Sequence, residues 1–282
     1  MYSGEEVLKC TIDSFSDVGI SRTNNEDAIE QCAPKGIAVL ADGMGGHNAG
    51  EVASRQTVLG LVKGLTIYLE SHMGAVDLDA VREHLSLLIA QQNKALFDQA
   101  QVDAHLEGMG CTLVVVCLMD AQALIANVGD SRCYHHRQGS LTQVTRDHSF
   151  VQFQLDHGYI TEAEAHSGQS KNYLLRSVGT SEKVSPDFFV VDIQPEDTLL
   201  TCSDGLTEAL SNEQLQEKIN QALCGGQPAR ALVQAALDAG SRDNVSVQVM
   251  RISQNEATDA HIGPDIDQRA AGFWQKWFGR FK

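Results

Sequence analysis

The sequence predicts an α/β or α+β sandwich in which helices cover β-sheets. Three observations lead there. Short β-branched apolar runs, bounded by Gly, Asp and Asn, read as strands. Two long stretches carry apolar residues at helical spacing. The order is strands, two helices, strands, an irregular stretch, then strand, two helices and strand, which suits sheets that bury their faces under helices.

In chain order, the predicted strands are Gly36–Ala41, Thr112–Leu118, Ala123–Val128, Asp197–Cys202 and Asn244–Ile252. The long helices are Ala49–Leu69 and Asp79–Ala100, the latter with Val81, Leu85 and Leu88 on one side. Ser211 with Gln214 is a capping-box signature before Leu215 and Ile219. Pro228 and Gly240 bracket a further helix, with Pro at the start and Gly just past the end. Residues 147–179 interrupt the pattern, mixing a second capping signature (Thr161 and Glu164) with Gly158, Gly168 and Gly179. They read as an ordered excursion from the core. Residues 253–268 are polar and linker-like, and 269–282 form a separate aromatic, basic segment.

The chain has 282 residues, of which 43% are hydrophobic and 21% charged, enough to bury a sizeable core in one large domain. A formal net charge of −16 disfavours nucleic acid or an acidic membrane as partner of the main body. An anionic ligand would meet a repulsive far field, so it needs strong local positive charge, which bound metal supplies. The seven cysteines include no C-x-x-C pair, and Cys111 and Cys117 lie in apolar runs, so core roles are expected rather than a disulfide framework. The acidic start MYSGEEVLKC lacks the apolar stretch of a signal peptide, and no run has membrane-spanning length. The expected compartment is the cytoplasm, and the simplest expected state is a monomer.

The chemistry is concentrated in a recurring arrangement, an apolar strand ending in aspartate beside glycine. It occurs as IAVLAD with Asp42-Gly43, as LIANVGD with Gly129-Asp130, and as LLTCSD with Asp204-Gly205. Asp243 stands before the strand NVSVQVM, and Glu26-Asp27 lies near the N-terminus. One Asp-Gly is ordinarily a turn. Several at converging strand ends crowd carboxylates that repel one another unless protonated or neutralised by cations. An all-oxygen set without thiol or imidazole suits hard ions such as Mg²⁺ or Mn²⁺.

At this point the chain resembles the PPM family, the metal-dependent (type 2C) protein serine/threonine phosphatases, in its bacterial form. The stretches that carry the resemblance are SDVGISRTNNED (16–27), IAVLADGMGGHNAG (37–50), GCTLVVV (110–116), NVGDSRCY (127–134), DHSFVQ (147–152), LLTCSDGL (199–206) and SRDNVSVQV (241–249), in the family's order. The resemblance implies a four-layer α+β sandwich of two antiparallel β-sheets flanked by α-helices, spanning residues 1–252, with a metal centre at one end. It implies that 147–179 is a flap beside that centre. It further implies hydrolysis of phosphoserine and phosphothreonine in protein substrates, with a serine/threonine kinase as the opposing enzyme.

Carried over by position, Asp42 bridges two Mn²⁺ or Mg²⁺ ions and the Gly43 carbonyl ligates one of them. Asp204 and Asp243 hold the other, and Asp27, with Glu26 beside it, binds or orients metal-bound water. Asp130 matches a residue associated with a third, weaker ion. Arg22 matches an arginine that grips substrate phosphate, and His47 is assigned as general acid or substrate-positioning group. Some relatives carry histidine directly after the Asp-Gly pair, where this chain has Met44. Two ions about 3.5–4 Å apart make hydroxide available at neutral pH, and phosphoryl transfer then depends on positioning and charge neutralisation.

Plainer readings compete with several of these. Arg22 alone would be a surface arginine paired with Glu26 or Asp27; within its motif, phosphate binding is the stronger reading. His47 reads equally as a solvated loop histidine, and Asp130 as a turn residue paired with Arg132. His135 and His136 would point to opposite faces of a strand, so an exposed turn or edge is expected there rather than a ligand pair. GMGGHNAG fails as a dinucleotide loop, since Asn48 stands where the third glycine belongs. The alternative for the whole chain is a catalytically silent phosphatase-like binding module, for which loss of a ligand aspartate would be expected; none is missing. The segment RAAGFWQKWFGRFK carries four basic and no acidic residues. As a helix it places Phe273, Trp274, Trp277, Phe278 and Phe281 on one stripe. It suits a membrane surface or a partner groove, against the plainer expectation that it packs on its own acidic domain or stays disordered.

Overall fold

The computed structural model describes residues 8–46, 49–72, 76–161, 164 and 173–254. The strands are β1 (Leu8–Asp17), β2 (Asp27–Cys32), β3 (Ile37–Met44), β4 (Gly110–Cys111), β5 (Leu113–Met119), β6 (Gln122–Val128), β7 (Arg132–Arg137), β8 (Ser140–Gln143), β9 (Asp187–Asp192), β10 (Thr198–Cys202) and β11 (Val245–Gln254). The helices are α1 (Ala49–Ser71), α2 (Leu78–Val102), α3 (Phe150–Asp156), α4 (Asp204–Thr207), α5 (Asn212–Ala222) and α6 (Pro228–Asp238). One sheet runs β1-β11-β10-β7-β8 and the other β2-β3-β5-β6-β9, with β4 appended to β3. The pairings are antiparallel throughout. The predicted sandwich of two antiparallel sheets is therefore observed.

Side-chain alternation builds the four layers. On β3, Ile37, Val39 and Ala41 face α1 and α2, whereas Ala38 faces the other sheet. On β11, Val245, Val247 and Val249 pack against α5 and α6, whereas Met250 and Ile252 enter the space between the sheets. The predicted capping box at Ser211 and Gln214 starts α5, and Pro228 starts α6. Cys111 and Cys117 are buried in the core as expected, and all seven thiols are free.

The layer between the sheets changes character along its length. Leu199, Met250 and Ile252 form its apolar part. Toward the other end the same faces of β10 and β11 carry Thr201, Ser203, Gln248 and Ser246, all buried. Thr201 Oγ1 donates to Gln248 Oε1 across the β10–β11 ladder, at 3.3 Å. Buried polar groups are tolerated there because partners satisfy them, and this is the end at which the aspartates collect. β1 and β11 pair over their whole length, from Leu8 with Gln254 to Asp17 with Val245.

Two expectations need correction. β11 continues to Gln254, past the expected boundary at 252. His135 and His136 do take opposite faces, but on the interior strand β7, flanked by β10 and β8, and not at an exposed turn or edge. His136 is buried, with Nε2 2.7 Å from Asn220 Oδ1, and His135 Nε2 lies 3.1 Å from Asp197. Among the described residues, no helix is long and apolar enough to cross a membrane.

Candidate metal centre

The ligand candidates reach one end of the sandwich from four strands. Asp27 opens β2 and Asp42 lies near the end of β3, directly opposite it in the ladder. Asp204 follows β10 as the first residue of α4, and Asp243 precedes β11. Asp42 and Asp204 stand where the apolar runs of β3 and β10 give out beside a glycine, and Asp27 and Asp243 where β2 and β11 begin.

Burial and mutual charge act on these carboxylates together. Asp42 is held well above the usual carboxylate range, first by burial and then by the charges of Asp27, Asp204, Asp130 and Asp243. Asp204 is likewise raised, by burial and then by Asp130, Glu208, Asp243 and Asp27. Burial pushes Asp27 up to about 6, against hydrogen bonds from Ser246 and Ser203. Asp130 also rises to about 6, through burial and then the charge of Asp147. Asp27, Asp42, Asp130, Asp204 and Asp243 therefore lie within range of one another's charge.

Buried hydroxyls and amides fix these residues from behind. Ser203 Oγ donates to Asp27 Oδ2 at 2.8 Å, and the Ser246 amide donates to Ser203 Oγ at 3.0 Å. The Asp42 amide donates to Thr112 Oγ1 at 2.9 Å, which lies 2.6 Å from Ser131 Oγ beside Asp130. The Asn244 side chain donates to the carbonyls of Val18 and Asn24 and accepts from the Glu26 amide, at 2.8, 2.9 and 2.8 Å. That ties the Arg22 loop to the start of β11. Gly19 permits the approach: its φ is +79°, and a Cβ there would sit 2.1 Å from the Asp243 carbonyl oxygen.

Two residues are placed differently from the plain readings. Arg22 pairs with neither Glu26 nor Asp27; its Nη2 lies 2.7 Å from Asp243 Oδ2, with the arginine side chain 49% exposed. Arg132 pairs not with Asp130 but with Asp147, at 2.7 Å. Glu26 is turned toward the start of α1, where a Cβ on Gly50 would lie 2.7 Å from its Oε2. Its pKa is raised, chiefly by burial, which outweighs the lowering influence of Arg22. Gly43 pairs with Cys111 and donates its amide to the Glu26 carbonyl at 3.0 Å. His47 lies outside the described residues, as does most of the stretch around Gly168. In the described part of 147–179, Thr161 and Glu164 exchange the reciprocal bonds of the expected capping box.

The residues fit divalent cations, although their side chains are not gathered on one point. Among the described residues, no three acidic, imidazole or thiol groups are arranged to hold an ion. Arg22 holds one Asp243 oxygen and Ser203 one Asp27 oxygen. Among the described residues, Asp27 Oδ1 and Asp204 Oδ1 are buried without a hydrogen-bond partner, a costly state that a cation relieves. The donors are all oxygen, the chemistry of Mg²⁺ and Mn²⁺.

The sequence motifs assign no role to Ser203, Ser246, Thr112, Ser131, Asn244 or Glu208. Glu208 carried a usable signal: it stands one helical turn beyond Asp204 in DGLTE, and its charge acts on both Asp204 and Asp130. The hydroxyls carried none, because a serine in a strand does not announce which carboxylate lies behind it.

Comparison with known proteins agrees with this architecture. The family model described as Protein phosphatase 2C matches residues 20–238. Protein phosphatase PhpP of Streptococcus pneumoniae is 34% identical over 249 residues, which cover 87% of this chain and 99% of that protein. The crystal structure of the serine/threonine phosphatase PstP/Ppp of Mycobacterium tuberculosis superposes with a TM-score of 0.76 at 36% identity, covering 88% of this chain and 99% of that one. A structure of the PstP catalytic domain in complex with two manganese ions gives a TM-score of 0.74 at 34% identity, covering 87% and 99%. With the fold and the matched span in agreement, the chain belongs to the protein phosphatase 2C family.

Proposed function

We propose that this chain is a Mn²⁺- or Mg²⁺-dependent phosphatase that removes phosphate from serine and threonine side chains of proteins. The observation that carries this reading is the convergence of Asp27, Asp42, Asp204 and Asp243, whose mutual charge is tolerable only with cations or protons present. In this reading Asp42, the Gly43 carbonyl, Asp204 and Asp243 would hold the two ions, and Asp27 with Glu26 would orient water beside them. Asp130 serves a third, weaker ion. When bound, the ions supply charge neutralisation for the phosphoryl oxygens and a water acidic enough to react at neutral pH.

The chain's own residues do the remaining work. Arg22, half exposed beside Asp243, offers its outward guanidinium nitrogens to the substrate phosphate, a charge-assisted contact with directional geometry. Asn244 keeps that loop against Asp243. His47, between β3 and α1 in the sequence, is the proposed proton donor to the departing seryl or threonyl oxygen. Residues 147–179 act as the flap that a protein substrate meets first. Residues 1–252 serve as the catalytic unit, 253–268 as a linker, and 269–282 as a basic aromatic segment for docking on a membrane surface or partner groove. A monomeric, cytoplasmic role in signalling, opposite a serine/threonine kinase, completes the reading.

The deciding experiment is hydrolysis of a phosphothreonine peptide by purified protein with Mn²⁺, repeated in EDTA and with Asp204→Asn. Activity that needs Mn²⁺ and disappears in the variant supports the assignment. Robust turnover by metal-free protein would refute it.

A further inference from the structure

Two adjacent residues, Asp147 and His148, grip opposite flanks of the turn that presents Asp130. On the far flank, the Arg132 guanidinium forks onto the Asp147 carboxylate, with Nε 3.0 Å from Oδ1 and Nη2 2.7 Å from Oδ2. Gln143 Nε2 donates to the same carboxylate at 3.2 Å, and the Asp147 side chain is only 8% exposed. The remaining guanidinium nitrogen, Nη1, donates to the Tyr134 hydroxyl at 3.1 Å, which donates to Asn212 Oδ1 at 3.3 Å. Arg132 therefore has no freedom to swing toward Asp130.

On the near flank, His148 docks on Gly129 by two bonds. Its amide donates to the Gly129 carbonyl at 2.9 Å, and the Gly129 amide donates to its Nδ1 at 3.1 Å. Because Nδ1 accepts, the ring proton sits on Nε2, which donates to Asp187 Oδ2 at 3.1 Å. Arg176 Nη1 holds the other Asp187 oxygen at 2.6 Å. Gly129 has no room to relax: its φ is +100°, and a Cβ there would sit 2.7 Å from the Thr112 side chain. Ser131 is pinned to Thr112 at 2.6 Å. The residues on both sides of Asp130 are thus fastened to the base of the 147–179 segment and to the floor beneath Asp42.

We infer that Asp147 and His148 are positioning residues that hold the Asp130 turn in place for the weaker cation, so that occupancy of that site is set from the base of the flap. This rests on the reading of Asp130 as a cation ligand. A neutral imidazole suits the task because one ring nitrogen must accept an amide while the other donates to a carboxylate, which no charged side chain does. Asparagine at 148 can place its amide oxygen near the Nδ1 position but is too short to serve Asp187 as well.

The test is calorimetric titration of the chelator-stripped full chain with Mn²⁺, where the parent should show two tight events and a weaker one. In His148→Ala and Asp147→Asn the weaker event should lose about tenfold or more in affinity, as removal of a buried hydrogen-bonding partner implies. The tight events should persist, which also reports that the variants are folded. His148→Asn should return the weaker event toward the parent value. An unchanged weaker event in both damaging variants would overturn the inference. If those variants bind nothing because they unfold, Arg132→Lys, which keeps the charge and loses the fork, decides by the same criterion. A parent with no weaker event, or one that survives Asp130→Ala, would instead remove the Asp130 assignment, and the positioning role with it.

Discussion

Asp27 and Asp42 face one another directly across the β2–β3 ladder, two partly or wholly buried carboxylates in register. Like charges in this relation destabilise a sheet. Their persistence side by side makes sense only if the pair spends its working life neutralised. Asp42→Asn should therefore stabilise the ion-free protein by roughly 1 kcal/mol, seen by calorimetry in EDTA as a melting temperature about 2–4 °C higher. The same variant should have no measurable phosphatase activity. A lower melting temperature would mean the carboxylates are not in conflict.

Cation binding should be visible as stability. Mn²⁺ at about a hundred times its dissociation constant adds ~2.7 kcal/mol to a protein that binds it only when folded. The parent chain should melt several degrees higher with Mn²⁺ than in EDTA. Asp204→Asn should lose most of that gain, and an equal gain in the variant would place the ions elsewhere.

Arg22→Ala separates substrate binding from folding. Its ion pair with Asp243 is half exposed, so the melting temperature should barely change. Loss of a charge-assisted contact of about 1.5–3 kcal/mol should raise KM for a phosphothreonine peptide by ten- to a hundredfold or so. Steady-state kinetics on the peptide decide it; an unchanged KM would return Arg22 to a surface role.

Acid should destabilise the protein partly through His148. Burial lowers its pKa below the ordinary value of 6.5, against the pull of Asp187. The unfolded chain then binds a proton more readily than the folded one. Stability falls as pH drops through 6.5 and stops falling below the folded-state value. His148→Asn cannot take up that proton, so its urea midpoint should decline less than the parent's between pH 7 and 5. Equal declines would show that the ring is free to protonate in place.

Removing residues 269–282 should leave peptide hydrolysis intact and reduce co-sedimentation with vesicles containing phosphatidylserine. Retained vesicle binding by the shortened chain would dissociate the basic aromatic segment from membranes.

Much of this is legible in the sequence. Strands whose one-letter pattern is continuously apolar, such as Leu113–Met119, were evident because both faces are buried. β1, β7 and β8 were not, since LKCTIDSFSD, RCYHHR and SLTQ put polar residues against partners far away in sequence. His136 illustrates the difficulty: only the fold brings Asn220 to it. For the centre, strand-terminal Asp-Gly pairs identified the carboxylates, but nothing local could reveal that Arg22 reaches Asp243 or that Arg132 prefers Asp147. Those choices depend on which loops fold back over the rim.

The full-length pairing of β1 with β11 also fixes an orientation. Asp243 lies just before one end of that ladder, and Gln254 is at the other, roughly 30 Å away at the usual rise per strand residue. A carrier fused directly after Gln254 would be joined at the pole remote from the aspartates. Tethering at that pole would leave the catalytic mouth pointing outward from the anchor, free to sweep the surrounding volume for phosphorylated chains.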